Sequence, residues 1–138
     1  MILADTGFWL ALASVGDRYH AAAKRALAAI DEPLITTWPV LTETCHLLLA
    51  RVGERSARTF IDSAARGAFE VFDLSREHLP RIGELMLRYA KLPMDLADAS
   101  LVILAEHLGT GRILSTDQRD FGAYRWKNRK PFQNLLIS

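Results

Sequence analysis

Cysteine is nearly absent: Cys45 is the one copy in 138 residues. A lone thiol closes no internal disulfide and builds no thiolate metal site, so a reducing, cytoplasmic setting is expected. Long hydrophobic runs are missing as well, and every apolar stretch falls well short of the roughly 20 residues that cross a bilayer. Met1 leads straight into Ile2-Leu3-Ala4-Asp5 with no basic segment ahead of it, so no secretory leader and no membrane association are expected. Net charge is also scarce, since 17 basic and 16 acidic residues leave +1. No global field draws the chain to nucleic acid, and any basic footprint has to be local.

What is present is the composition of a folded protein, 50% hydrophobic and 24% charged. A chain of this length with no repeat, low-complexity tract or linker is expected to form a single domain over residues 1–138 around one core. Ile2-Leu3-Ala4 reads as a buried strand ending at Asp5-Thr6-Gly7. Helices are predicted over Phe8–Ala13 and Arg18–Ile30, and a second strand over Leu34–Thr37. Trp38-Pro39 opens a helix running toward Val52, and another helix spans Glu54–Arg66. A third strand over Phe69–Phe72 precedes a helix from Glu77 to Tyr89, with Ser75 as its cap. A helix from near Asp95 to Gly109 leads to a fourth strand at Arg112–Ser115, and a last strand covers Phe132–Ile137. Strands alternating with helices predict an α/β sandwich on a mostly parallel sheet, whose ligands collect beyond the strands' carboxyl ends.

The acids fall on that edge. Pro93-Met94-Asp95-Leu96-Ala97-Asp98-Ala99-Ser100 reads as a helix start running into the apolar Leu101-Val102-Ile103-Leu104, and it puts Asp95 and Asp98 together on the first turn. Taken alone, such a pair is a cap and a favourable charge at a helix N-terminus. Taken with others, it is half of a cation site. Asp5 and Asp117 each follow a strand, and Glu43 lies about one turn into its helix. Carboxylates gathered in one cleft repel one another until a cation joins them. An oxygen set without matching His or Cys selects Mg²⁺ or Mn²⁺ over zinc, and those ions suit phosphodiester hydrolysis.

Leu-Ala-Asp-Thr at Asp5, Leu-Thr-Glu-Thr at Glu43, Met-Asp-Leu-Ala-Asp-Ala-Ser-Leu-Val, and Ser-Thr-Asp-Gln-Arg-Asp-Phe together resemble the PIN domain. More narrowly, they are similar to the VapC-type toxin ribonucleases of toxin–antitoxin pairs. The resemblance covers essentially the whole chain, and the order of its blocks is more specific than any one acid. It implies a three-layer sandwich with a parallel sheet between helices. It also implies cleavage of single-stranded regions of RNA dependent on Mg²⁺ or Mn²⁺, homodimerisation, and a cognate antitoxin protein. Carried over by position, Asp5, Glu43, Asp98 and Asp117 are the catalytic, metal-binding acids, with Asp98 favoured over Asp95 because the family's acid usually precedes alanine. Asp95 and Asp120 are supporting residues, and Thr6 and Thr116 are placed to hold a carboxylate or a water.

Other features weigh less. Cys45 and His46 are adjacent on a helix, point apart and make no nucleophile–base pair. His20, His78 and His107 stand alone, and Gly109-Thr110-Gly111 lacks the lysine of a phosphate loop. The tail Arg119, Arg125, Trp126, Lys127, Arg129 and Lys130, with Tyr124, mixes cations and rings in a way that suits RNA, or else forms a solvated loop with Trp126 covering the core. The alternative functions are a PIN-like nuclease for RNA maturation or DNA, and a catalytically silent module that uses the acids for a structural ion.

Overall fold

The computed structural model describes residues 1–137. The chain runs β1 (Ile2–Ala4), α1 (Thr6–Ala13), α2 (His20–Ala29), β2 (Leu34–Thr37), α3 (Trp38–Arg51), α4 (Glu54–Ala65) and β3 (Glu70–Phe72). A 3₁₀ turn at Arg76–His78 then precedes α5 (Leu79–Arg88), α6 (Leu96–Leu108), β4 (Arg112–Leu114) and α7 (Gln118–Ala123). The short strands β5 (Arg125–Trp126), β6 (Lys130–Pro131) and β7 (Gln133–Asn134) close the chain.

Every residue of β1 and β2 is buried. Successive strand side chains point to opposite faces, so both faces of the sheet are covered, and helices flank it as layers. Five strands lie in the order β3-β2-β1-β4-β7, all parallel. Leu3 is opposite Ile35 on one side and Ile113 on the other. The chain therefore builds outward from β1 through β2 to β3, then returns to lay β4 and β7 on the other side. That reversal between β1 and β4 opens a crevice at their carboxyl ends.

Helix α6 is the pillar of the core, with Ala97 and every residue from Ala99 to Ala105 buried. A helix buried on nearly all sides needs apolar residues around its whole circumference, as Leu101-Val102-Ile103-Leu104-Ala105 supplies. Its ends are marked by Asp95, whose Oδ1 accepts the Asp98 N–H at 2.8 Å, and by Gly109 at φ 72°, a left-handed stop that glycine adopts without steric cost. Phe8 and Trp9 of α1 and Leu48 of α3 also belong to the core.

The elements deviate from expectation mainly at their ends. Helix α1 begins at Thr6 because Asp5 caps it, accepting the Thr6 N–H at 2.7 Å. The predicted Glu77–Tyr89 helix is divided into the 3₁₀ turn capped by Ser75 and α5 proper, with Pro80 in its first turn. The last strand shrinks to Gln133–Asn134, and the short helix α7 was not anticipated. The core predicts one outcome. Leu104 is fully buried, so Leu104→Ala is expected to destabilise the fold by about 2–5 kcal/mol in urea unfolding, and a loss below about 1 kcal/mol would contradict this role for α6.

Candidate active site

The crevice at the sheet's switch point is a cleft of about 350 Å³ lined by Asp5, Thr6, Gly7, Glu43, Asp95, Asp98, Thr116, Asp117, Arg119 and Asp120, among others. Residues from four separate stretches of sequence thus share one hollow. A larger hollow of about 760 Å³ between α3 and α4 holds only Glu54 and Asp62 as acids, and each is paired with an arginine, Arg58 and Arg66 respectively.

Each acid is placed by a local device. Asp5 sits at the end of β1, where its Oδ2 accepts a hydrogen bond from Ser115 Oγ at 3.0 Å. The same Ser115 Oγ accepts the Asp117 N–H at 2.9 Å, so one buried hydroxyl fixes two acids. Ser115 is strapped in turn by Asn134, which donates from Nδ2 to the Ser115 carbonyl at 2.9 Å and accepts the Ser115 N–H at 3.3 Å. Asp117 caps α7, its Oδ1 accepting the Asp120 N–H at 3.0 Å. Asp95 and Asp98 divide their work: exposed Asp95 caps α6, while half-buried Asp98 accepts a hydrogen bond from Tyr124 Oη at 3.0 Å on its Oδ2. Tyr124 is itself fully buried, edge-on to Tyr89 and Phe121. The N-termini of α1, α6 and α7 all face this acidic crevice, and their partial positive charge favours carboxylates there.

Gly7 has a steric reason. A Cβ built on it would lie 1.9 Å from Thr116 Oγ1, so only glycine lets the first turn of α1 close against the loop after β4. Ser115, Asn134, Tyr124 and Gly7 were given no role in the site from sequence. Only Ser115, inside Ser-Thr-Asp-Gln-Arg-Asp-Phe, and Gly7, directly after Leu-Ala-Asp-Thr, carry a usable signal.

Charge is unbalanced in the cleft. Six carboxylates line it with Arg119 as the one cation, and that side chain is 78% exposed and held by Asp120 at 3.0 Å. Burial pushes the Asp5 carboxyl up to about 6, opposed by its hydrogen bonds from Thr6 and Ser115 and aided by the charges of Glu43 and Asp117. Burial also pushes Asp98 up to about 8, with Asp95, Asp5 and Asp117 adding repulsion and the Tyr124 hydroxyl opposing it. Asp117 is raised as well, again chiefly by burial.

Such a donor set fits a hard divalent cation. All its groups are oxygens, and the buried Thr6 Oγ1 has no hydrogen-bond partner. Among the described residues, no three His, Cys, Asp or Glu side chains stand close enough together to clasp a bare ion. The acids ring the cleft with space between them, which suits an ion that keeps part of its water shell.

In the basic tail, Trp126 covers the core, the second of the two expectations, and is not held out for base stacking. Trp126 is only 7% exposed and donates from Nε1 to the Pro131 carbonyl at 3.1 Å, while Lys127 and Lys130 Nζ lie over its ring at 5.7 and 4.9 Å from its centroid. It is a core ring covered by lysine stems, and Tyr124 is buried too. Arg125 is turned back onto the Gly122 and Tyr124 carbonyls. Of the predicted RNA-contacting residues Arg119 lines the cleft, whereas Arg125, Trp126, Lys127, Arg129 and Lys130 do not.

Comparison with known proteins agrees with this geometry. The model of the PIN domain family matches residues 2–127. Ribonuclease VapC26 of Mycobacterium tuberculosis is 27% identical over 124 residues, covering 90% of this chain and 92% of the relative. The 23S rRNA-specific endonuclease VapC20 of the same organism is 46% identical over 57 residues, 41% of this chain and 44% of its own. The crystal structure of Mycobacterium tuberculosis VapC20, described as a sarcin-ricin loop cleaving toxin, matches with a TM-score of 0.81 at 26% identity, over 86% of this chain and 92% of that chain.

The raised carboxyls predict a pH dependence whose sign is opposite to that of a salt-bridged acid. Their contribution to stability is complete below the ordinary value of 3.8 and is lost as pH rises through about 6 for Asp5 and about 8 for Asp98. Without metal, the protein should therefore melt at a lower temperature at about pH 8 than at about pH 5, and Mn²⁺ should raise the melting temperature more at the higher pH. Calorimetry in EDTA and in Mn²⁺ measures both, and melting that Mn²⁺ leaves unchanged at the higher pH would contradict the electrostatic account.

Proposed function

From the premise that the chain belongs to the PIN domain family, we propose that its acidic cleft hydrolyses phosphodiester bonds in single-stranded regions of RNA, with Mg²⁺ or Mn²⁺ as cofactor. The observation that carries this reading is the gathering of Asp5, Glu43, Asp98 and Asp117 around one cleft with no cation of their own buried beside them. The names of the relatives support it, since VapC26 is a ribonuclease and VapC20 an rRNA endonuclease.

Asp5, Asp98 and Asp117 would hold the ion, with Glu43 on the α3 wall of the same cleft. A bound divalent ion supplies Lewis-acid neutralisation of the phosphate and an activated water. The chain's own residues set the stage for that chemistry. Ser115 occupies one oxygen of Asp5, and Tyr124 occupies one oxygen of Asp98, so each carboxylate is fixed in orientation. Arg119, tethered by Asp120 but largely exposed, meets a phosphate of the incoming strand.

The same reading makes the chain the toxin of a toxin–antitoxin pair, inhibited by a cognate antitoxin protein, homodimeric and working in the cytoplasm. Among the described residues no helix is long and apolar enough to cross a membrane.

Purified protein should cut single-stranded RNA in Mg²⁺ or Mn²⁺ and stop in EDTA. Asp98→Asn should lose more than about 100-fold of that activity while still folding, and Tyr124→Phe, which only releases the carboxylate, about 10-fold. Expression should arrest growth, with relief from a small neighbouring partner. Asp98→Asn retaining full activity would refute the site, and wild-type expression without effect on growth would refute the toxin role.

A further inference from the structure

The acidic cleft continues into a second hollow of about 580 Å³, and Glu43 and Asp95 line both. Its largest side chain is Trp38, the first residue of α3, directly beyond the carboxyl end of β2. Two of the three tryptophans, Trp9 and Trp126, are 7% exposed, whereas Trp38 is 50% exposed. Its ring is nonetheless held in one orientation, because Nε1 donates to Asp73 Oδ1 at 2.8 Å. Leu96, 47% exposed and next to Asp95, lines the same hollow with Pro39, so the ring belongs to a small apolar ledge beside the carboxylates.

An apolar ring left in water forgoes burial free energy, and a hydrogen bond that fixes it there keeps a flat face available. The chemistry of the surroundings narrows what lies on it. Glu43, Asp73 and Asp95 around the ring repel phosphate, so a strand lying here turns its phosphates away, and the flat ring face suits the base they carry. Continuity with the cleft places it one step from the bond being cut. Resting on the ribonuclease reading above, we propose that Trp38, seated on Asp73 and flanked by Leu96 and Pro39, stacks an unpaired RNA base adjacent to the scissile phosphodiester. Stacking on an aromatic face accepts any base, so Trp38 confers preference for unpaired RNA over duplex and not for one sequence.

The test uses wild type, Trp38→Phe and Trp38→Ala with a short unstructured RNA whose cleaved bond has been mapped on wild type, and the same RNA carrying an abasic residue beside that bond. Trp38→Ala should raise KM about 10-fold, with a smaller effect on kcat, and Trp38→Phe should recover most of the loss. The abasic RNA should impair wild type to a similar extent and impair Trp38→Ala no further. In Ca²⁺, the unmodified RNA should quench the tryptophan emission of wild type but not that of Trp38→Phe. A wild-type enzyme that cleaves normally but is indifferent to the abasic residue overturns the proposal and leaves the nuclease reading standing, even if Trp38→Ala fails to fold. A wild type that does not cleave RNA overturns the nuclease reading, and the quench then decides the stacking alone, its absence overturning that too. If Trp38→Ala turns a dimer into a monomer while RNA fails to quench wild type, the ledge is a contact between copies of the chain and the proposal is overturned.

Discussion

Mutual repulsion among the cleft carboxylates is what the surrounding fold has to withstand. Six acids line a cleft whose one guanidinium stays out in solvent. Like charges at such spacing raise one another's affinity for protons, and burial does the same. The fold tolerates this through the N-termini of three helices and through the hydrogen bonds from Ser115, Thr6 and Tyr124. Those donors stabilise the anions only in part, since Asp5 and Asp98 remain well above the ordinary carboxylate range. On the proposed function, that residual imbalance is what would draw in a divalent cation and, through it, a phosphate.

The frame exists to hold that unfavourable arrangement in place. Parallel strands bring the carboxyl ends of β1 and β4 side by side, and the crossover order makes them the switch point of the sheet. The buried pillar α6 then presents Asp98 from its first turn, anchored by apolar packing along its length. Ser115 and Asn134 tie the loop after β4 to both β1 and the edge strand β7. Without such bracing the acids could relax apart, and the cleft would lose the charge density that gives it a use.

Much of this was legible in the sequence, for physical reasons that differ by residue. The stretch from Pro93 to Ala105 announced a buried helix with acids on its first turn, because proline, cap and apolar run are all local signals. Asp5 and Asp117 could be placed because strands are short apolar runs and parallel sheets put their ligands beyond the carboxyl ends. Tyr124 and Asn134 were not legible as supports, since their hydrogen bonds reach Asp98 and Ser115 across 26 and 19 positions and leave no periodic trace. Trp126 and Tyr124 left two readings open for another reason: aromatic and basic residues mixed in sequence look the same whether the rings face solvent or lie buried beneath lysine ammonium groups. Trp38 read as the opening of a helix, and only the folded chain shows that its ring remains outside, tied to Asp73.

On the proposed function, these carboxylates act together on one divalent ion. Anomalous diffraction from crystals of the protein soaked in Mn²⁺ measures this most directly. A manganese peak is expected in the cleft within coordinating reach of Asp5, Asp98 and Asp117, directly or through bound water. A saturating soak that leaves the cleft without a peak, or that places manganese only at acids elsewhere on the surface, would contradict it.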